Sequence, residues 1–302
     1  MKPYLGYIYA LLAAIFNGMV GIFSVKIMAT GLSPYAIAFY KCLIAFLIIT
    51  SWLIVSRQFG EWINYIKRLW WELSVAALFG FFVLSFFETA AYQYEKVTIV
   101  VFMLLGSAVI TTFILTALLD KKWLSLHNIM SCTLALSGLA LIFGVNVVSS
   151  DNYFGIFLAL IAGSGYGAFL TISPRFNLGS GLLVVNSLML FGMLYLFIPF
   201  AIEGLVFVAD VNTIILLIFL ALLPTIGGFW CTTKALTLLK SESVQLIELS
   251  EPIFCLVFSF VFLNQYLTFW QIIGGGILIG SIYVNIAFTP KLSTQELLLD
   301  AN

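Results

Sequence analysis

The chain has 302 residues, 63% of them hydrophobic and 9% charged, with a formal net charge of zero and a mean hydropathy of +1.14. Soluble globular domains carry about 25% charged residues, so this composition excludes a soluble domain and leaves a polytopic membrane protein. A neutral chain also lacks the basic surface that nucleic-acid binding needs.

A span needs about 20 apolar residues. Ten stretches qualify: Tyr4–Met28, Pro34–Val55, Leu73–Tyr94, Val97–Leu119, Leu126–Val145, Tyr153–Ser173, Leu182–Phe200, Thr213–Leu239, Val244–Leu263 and Thr268–Phe288. The expected fold is an all-α membrane protein of ten transmembrane helices. The first run is too long for the apolar region of a signal peptide, and no small-residue cleavage site follows it. Ser33-Pro34 predicts a helix start and Ser173-Pro174 a helix stop. The other connections are short, so successive helices are expected as antiparallel neighbours. The longer link Ser56–Glu72 holds Trp62, Tyr65, Trp70 and Trp71 beside Lys67 and Arg68, and it reads as an amphipathic segment on the membrane surface.

Cys42, Cys132, Cys231 and Cys255 lie in apolar runs without metal-ligand spacing and are expected to pack as free thiols. No metal or cofactor is expected. His127 stands at a helix start beside Lys121 and Lys122, which suits an interfacial or capping role. Lys2, Arg57, Lys67, Arg68, Lys121, Lys122, Arg175, Lys240 and Lys291 fall on one side of the predicted topology, against Lys26 and Lys96 on the other. By the positive-inside rule both termini are expected in the cytoplasm, with the protein in a bacterial inner membrane. The polar tail 291–302 is expected to be disordered.

The chain repeats itself. Gly6, Ala10, Leu11, Ala13, Gly18 and Lys26 align with Gly155, Ala159, Leu160, Ala162, Gly167 and Arg175. Ala77-Leu78 aligns with Ala221-Leu222, and Ala91 with Ala235. This divides the chain into a first five-helix repeat, 1–146, a second, 147–290, and the tail. An odd number of crossings per repeat inverts the second half relative to the first, as in secondary transporters whose site lies near the midplane between halves.

With these features the chain resembles the drug/metabolite transporter superfamily, EamA-like branch. The features are the two five-helix halves, Lys26 followed by Ser33-Pro34, Thr233-Lys234-Ala235-Leu236, Glu251-Pro252, and Gly274 with Gly280. The resemblance covers nearly the whole chain and implies alternating access and export or exchange of small metabolites without ATP. It leaves the substrate open. Two departures are Lys41, where the family often has arginine, and Gly106-Ser107-Ala108 in the fourth helix, where a proline is common. The first half is therefore expected to bend less than the second.

Charges inside apolar helices are the chief functional signal, because each costs about 2.5–3.5 kcal/mol at the bilayer centre on insertion scales. Lys41 lies seven residues past Pro34, and Glu88 six residues before Tyr94. Their equal depth predicts an ion pair. Lys234 is expected to pair with Glu248 or Glu251 in the opposite half. Glu248 and Glu251 share a helix face, and Pro252 cannot donate to the Glu248 carbonyl. These five residues are the candidates for substrate binding or gating. A glutamate released from its lysine would take up a proton, making a proton the candidate coupling ion. Each pair would alternatively fix helix register as a static contact. Asn17, Tyr92, Tyr166, Trp230, Gln245 and, further out, Gln93, Thr232 and Asn285 are candidate cavity-lining groups. Pro224, near Gly227-Gly228, and Pro252 are candidate hinges. Gly163/Gly167 and Gly276/Gly280 have the small-xxx-small spacing. Tight packing within the chain is favoured over a dimer contact, so a monomer or weak homodimer is expected.

The leading reading is a secondary transporter exporting or exchanging a small polar metabolite, an amino acid or derivative first among them. The alternative is an importer or exchanger of a nucleoside-like cofactor. An intramembrane enzyme is disfavoured by the lack of His-Glu-x-x-His or Gly-x-Ser-x-Gly, and a scaffold gains nothing from charges at that depth. The expected partners are the substrate and the lipid bilayer.

Overall fold

The computed structural model describes residues 4–121, 125–147, 152–208, 210–263 and 268–288. Among these every regular element is helical: α1 (Tyr4–Asn17), α2 (Val20–Met28), α3 (Pro34–Val55), α4 (Phe59–Ala77), α5 (Leu84–Tyr94), α6 (Val97–Asp120), α7 (Leu126–Val147), α8 (Tyr153–Arg175), α9 (Leu182–Glu203), α10 (Val211–Leu220), α11 (Phe229–Leu236), α12 (Ser241–Glu248), α13 (Glu251–Leu263) and α14 (Phe269–Phe288). Two π-helical segments, Leu78–Val83 and Ala221–Gly228, join α4 to α5 and α10 to α11. Nine helical runs among the described residues are long and apolar enough to cross a membrane. The remaining expected crossing, Val244–Leu263, is divided between α12 and α13 by a turn at Leu249-Ser250.

Sequence chemistry sets the ends and the irregularities. Ser33 caps α3 by accepting a hydrogen bond from the Ala36 amide at 3.2 Å, with Pro34 at the first helical position. Asp210 caps α10 through the Thr213 hydroxyl and amide, which hold its carboxyl below the usual aspartate range. Pro224 cannot donate to the carbonyl of Leu220, four residues back. The Thr225 hydroxyl takes that carbonyl instead, at 2.8 Å, so the π-helical segment keeps its backbone satisfied where no water reaches.

Several expectations change. The first run is not one helix but breaks at Gly18-Met19. The stop expected at Ser173-Pro174 is found one residue on: α8 ends at Arg175, and Asn177 follows with φ of 49°. The 56–72 link is mostly helix, continuous with the third span and bent at Leu69. Trp70 and Trp71 are exposed, but Trp62 is buried and donates to the Ser187 hydroxyl at 3.0 Å, while Tyr65 donates to the Leu178 carbonyl. That segment is thus docked on α9 and the link before it. Gly276 and Gly280 have open space where a Cβ would stand, so the packing expected of them within the chain is not found. His127 meets the Ser125 hydroxyl at 3.2 Å. Lys2, Lys122 and the tail 291–302 lie outside the described residues.

Packing across the halves fixes the architecture. Helix α1 packs on α11 and on the second π-helical segment, while α8 packs on α5 and on the first. Each half thus places its first span against the third span of the other, as an inverted repeat requires. The closest pair is α6 with α8: a Cβ on Gly163 would overlap the Leu104 carbonyl and the Ser107 hydroxyl, and one on Gly167 would crowd the Ala108 carbonyl. Contacts between halves also tie them together toward both ends of the bundle. At one end Ser33 donates to Glu203, and Tyr40 donates to the Val206 carbonyl at 2.8 Å. At the other Arg175 pairs with Asp120.

Candidate functional site: a charged cavity between the halves

Four irregularities converge at mid-height. The break after Asn17 leaves the Gly18 carbonyl without a helical partner, and the Cys255 thiol of α13 donates to it. A Cβ on Gly18 would also lie 3.4 Å from the Glu251 carbonyl. The α1–α2 break therefore faces the α12–α13 break. Asn17 itself lies against Gly228, at the end of the second π-helical segment. From the other side, Phe81 of the first π-helical segment meets Phe229 with ring centroids 4.1 Å apart.

A cavity of about 50 Å³ lies among them. Asn17, Lys41, Glu88, Tyr166, Pro224 and Glu251 line it, all singled out from sequence. Sequence reasoning missed Phe81, Ser85, Leu104, Thr225 and Phe229, which also line it. Ser85 was within reach, one helical turn before Glu88; the phenylalanines carry no signal in a chain with 29 of them.

The three carboxylates are held differently. Glu88 lies 4.0 Å from the Lys41 ammonium and accepts from the Tyr92 hydroxyl at 3.0 Å. Tyr92 is thus a support for Glu88 and is not part of the lining. Glu248 is 1% exposed and receives the Tyr166 hydroxyl at 2.5 Å and the Thr232 hydroxyl at 2.7 Å. Glu251 lines the cavity, within electrostatic range of both Glu88 and Glu248. Among the described residues it has neither hydrogen bond nor ion pair. Its position, at the first turn of α13 directly before Pro252 and just past the turn at Leu249-Ser250, places the carboxylate at the void.

The expected pairing of Lys234 with Glu248 or Glu251 is not present. Lys234 is half-buried, forms no ion pair within 4.0 Å among the described residues and does not line the cavity. Hydroxyls occupy Glu248 in its place. Trp230 packs edge-on against Tyr9, with centroids 5.6 Å apart, and is absent from the lining. Gln245 is fully buried away from the cavity, with no hydrogen-bond partner among the described residues for its amide. Pro252 is buried behind Glu251. A second cavity, about 420 Å³, opens at the Arg175 end between the α8–α9 and α11–α12 links, lined by Asn177, Leu188, Thr237 and Lys240 among others.

The fold and this site define an integral membrane protein of two inverted five-helix repeats with a charged chamber between them. The model of the EamA-like transporter family matches residues 4–144 and 153–287. The chain belongs to that family. It is 27% identical over 271 residues to an uncharacterized transporter of Archaeoglobus fulgidus, covering 87% of this chain and 91% of that protein. A solved crystal structure superposes with a TM-score of 0.77 at 13% identity, over 96% of this chain and 100% of that one, a likeness of fold alone.

Proposed function

We propose that this transporter exports a small, polar, amine-bearing metabolite, an amino acid or derivative, across the cytoplasmic membrane by alternating access, with a proton as the coupling ion. The observation that carries this reading is the Glu251 carboxylate, which faces a cavity between the halves and has no partner among the described residues. A carboxylate left without a partner at that depth is costly unless a ligand or a proton completes it.

Three further features support it. A cavity of about 50 Å³ is too small for a whole metabolite, so in this reading cargo enters as the halves part. A few polar contacts join the halves toward each end, Ser33 with Glu203 and Tyr40 with Val206 at one and Arg175 with Asp120 at the other, and such contacts can break one end at a time. The groups near Glu251 are Glu88 and Tyr92 of α5, Glu248 of α12, Cys255 of its own helix, and Lys41 and Tyr166 across the cavity. In this setting the carboxylate carries a proton in one half-cycle and cargo in the other.

The test uses purified protein in liposomes. An imposed pH gradient should accelerate flux of an amine-bearing metabolite, and collapsing it with an ionophore should remove the acceleration. Flux indifferent to the gradient contradicts proton coupling; no gradient-driven or exchange flux of any amine-bearing compound contradicts the whole reading.

A further inference from the structure

We infer that the cargo carries a net positive charge, in an ammonium or guanidinium group that Glu251 holds against the Phe81, Phe229 and Tyr166 rings. The inference rests on the transport reading above and narrows its substrate class.

The argument is a charge count. Three carboxylates, Glu88, Glu248 and Glu251, meet one lysine, Lys41, which Glu88 already engages. Tyr166 and Thr232 meet Glu248 with neutral hydroxyls, which add no positive charge. The other nearby cations are elsewhere: Lys234 is off the cavity, Arg175 is paired with Asp120, and Lys26 is exposed. A cargo carboxylate would therefore meet Glu251 with no free cation among the described residues at the cavity to offset it, whereas a cationic head would complete it.

Shape and surroundings agree. An ammonium group is about the size of a water, so a void of about 50 Å³ beside Glu251 has room for such a head, and the larger guanidinium fits once the halves part. Phe81, Phe229 and Tyr166 all line the void, and aromatic faces attract cations most strongly where water is excluded. Asn17 adds a neutral amide oxygen on the lining. The competing solution is that protons alone neutralise the site, in which case a zwitterion or neutral molecule would be preferred. Charge selectivity separates the two.

The experiment is exchange of radiolabelled arginine, putrescine, leucine and glutamate by the wild-type protein in liposomes, with thermal stabilisation by each compound measured in detergent. Arginine or putrescine should exchange at least about tenfold faster than leucine or glutamate, a difference of about 1.4 kcal/mol, and should raise the melting midpoint. Glu251→Gln should lose that preference and Glu251→Asp should keep it in part; the wild-type selectivity is decisive even where a variant fails to fold. Leucine or glutamate exchanging as fast as the cations overturns the inference and leaves the transport reading standing. No exchange and no stabilisation by any of the four overturns the inference, and gradient-driven flux of another amine-bearing compound would still uphold the transport reading.

Discussion

Helix α6 and the α12–α13 pair are the same element in the two halves, and they have diverged. Both begin after an extended lysine, Lys96 with ψ of 143° and Lys240 with ψ of 149°. Eight residues on stand Leu104 and Glu248; eleven on, Ser107 and Glu251; twelve on, Ala108 and Pro252. The first version runs unbroken to Asp120 and carries the closest packing in the bundle, against Gly163 and Gly167. The second is cut at Leu249-Ser250 and brings Glu251 to the cavity, with Glu248 held by the Tyr166 and Thr232 hydroxyls. In this element one copy is a packing wall and the other, broken, brings a carboxylate to the cavity.

The largest effect should fall on the wall. Gly163→Leu forces a side chain into the Leu104 carbonyl and Ser107 hydroxyl. Overpacking costs about 1–3 kcal/mol where neighbours can yield, and here the obstacle is backbone. We expect loss of the monodisperse folded protein on size-exclusion chromatography. A well-folded Gly163→Leu protein would show that α6 and α8 are not the rigid reference.

Next is the ion pair behind the site. Lys41→Ala leaves the Glu88 charge buried with only the Tyr92 hydroxyl, a loss of about 3–5 kcal/mol by analogy with buried pairs in soluble proteins. The melting midpoint should fall, and Lys41→Met combined with Glu88→Gln should recover most of it. If the double variant is no better than the single one, the pair is not what stabilises this layer.

A smaller change sharpens the contrast from the other side. Tyr166→Phe removes one hydroxyl from Glu248. Hydrogen bonds between membrane helices average about 0.6 kcal/mol and reach about 1.7, so the melting midpoint should fall by a few degrees at most, while transport falls more. Equal loss of both would make Glu248 a structural group.

Much of this was legible in the sequence, for physical reasons. Hydropathy located the spans, because each must be apolar along its length. Equal depth brought Lys41 to Glu88, because rise per residue is constant along a helix. The fourth helix, which lacks the proline, does run unbroken as α6, but the first half as a whole is not the straighter one, since it breaks at Gly18-Met19 and bends at Leu69. Lys234 was mispaired because depth does not give rotation about the axis: Thr232, two residues earlier, turns to Glu248 and Lys234 does not. The break at Gly18 and the two π-helical segments were hidden because hydropathy is blind to backbone path. Pro224 marked one of them. The other, Leu78–Val83, contains no proline, and tertiary contact with α8 and α9 is what accompanies it.

The central claim is that Glu251, at the break between α12 and α13, is where cargo binds. Exchange flux of wild type and Glu251→Gln should be compared in liposomes at matched protein incorporation, with Ser107→Ala as the counterpart from the unbroken copy. The account predicts loss of exchange in Glu251→Gln, by about tenfold or more for a charged hydrogen bond of about 1.5–3 kcal/mol, and near wild-type exchange in Ser107→Ala. Wild-type exchange in a folded Glu251→Gln protein would contradict it.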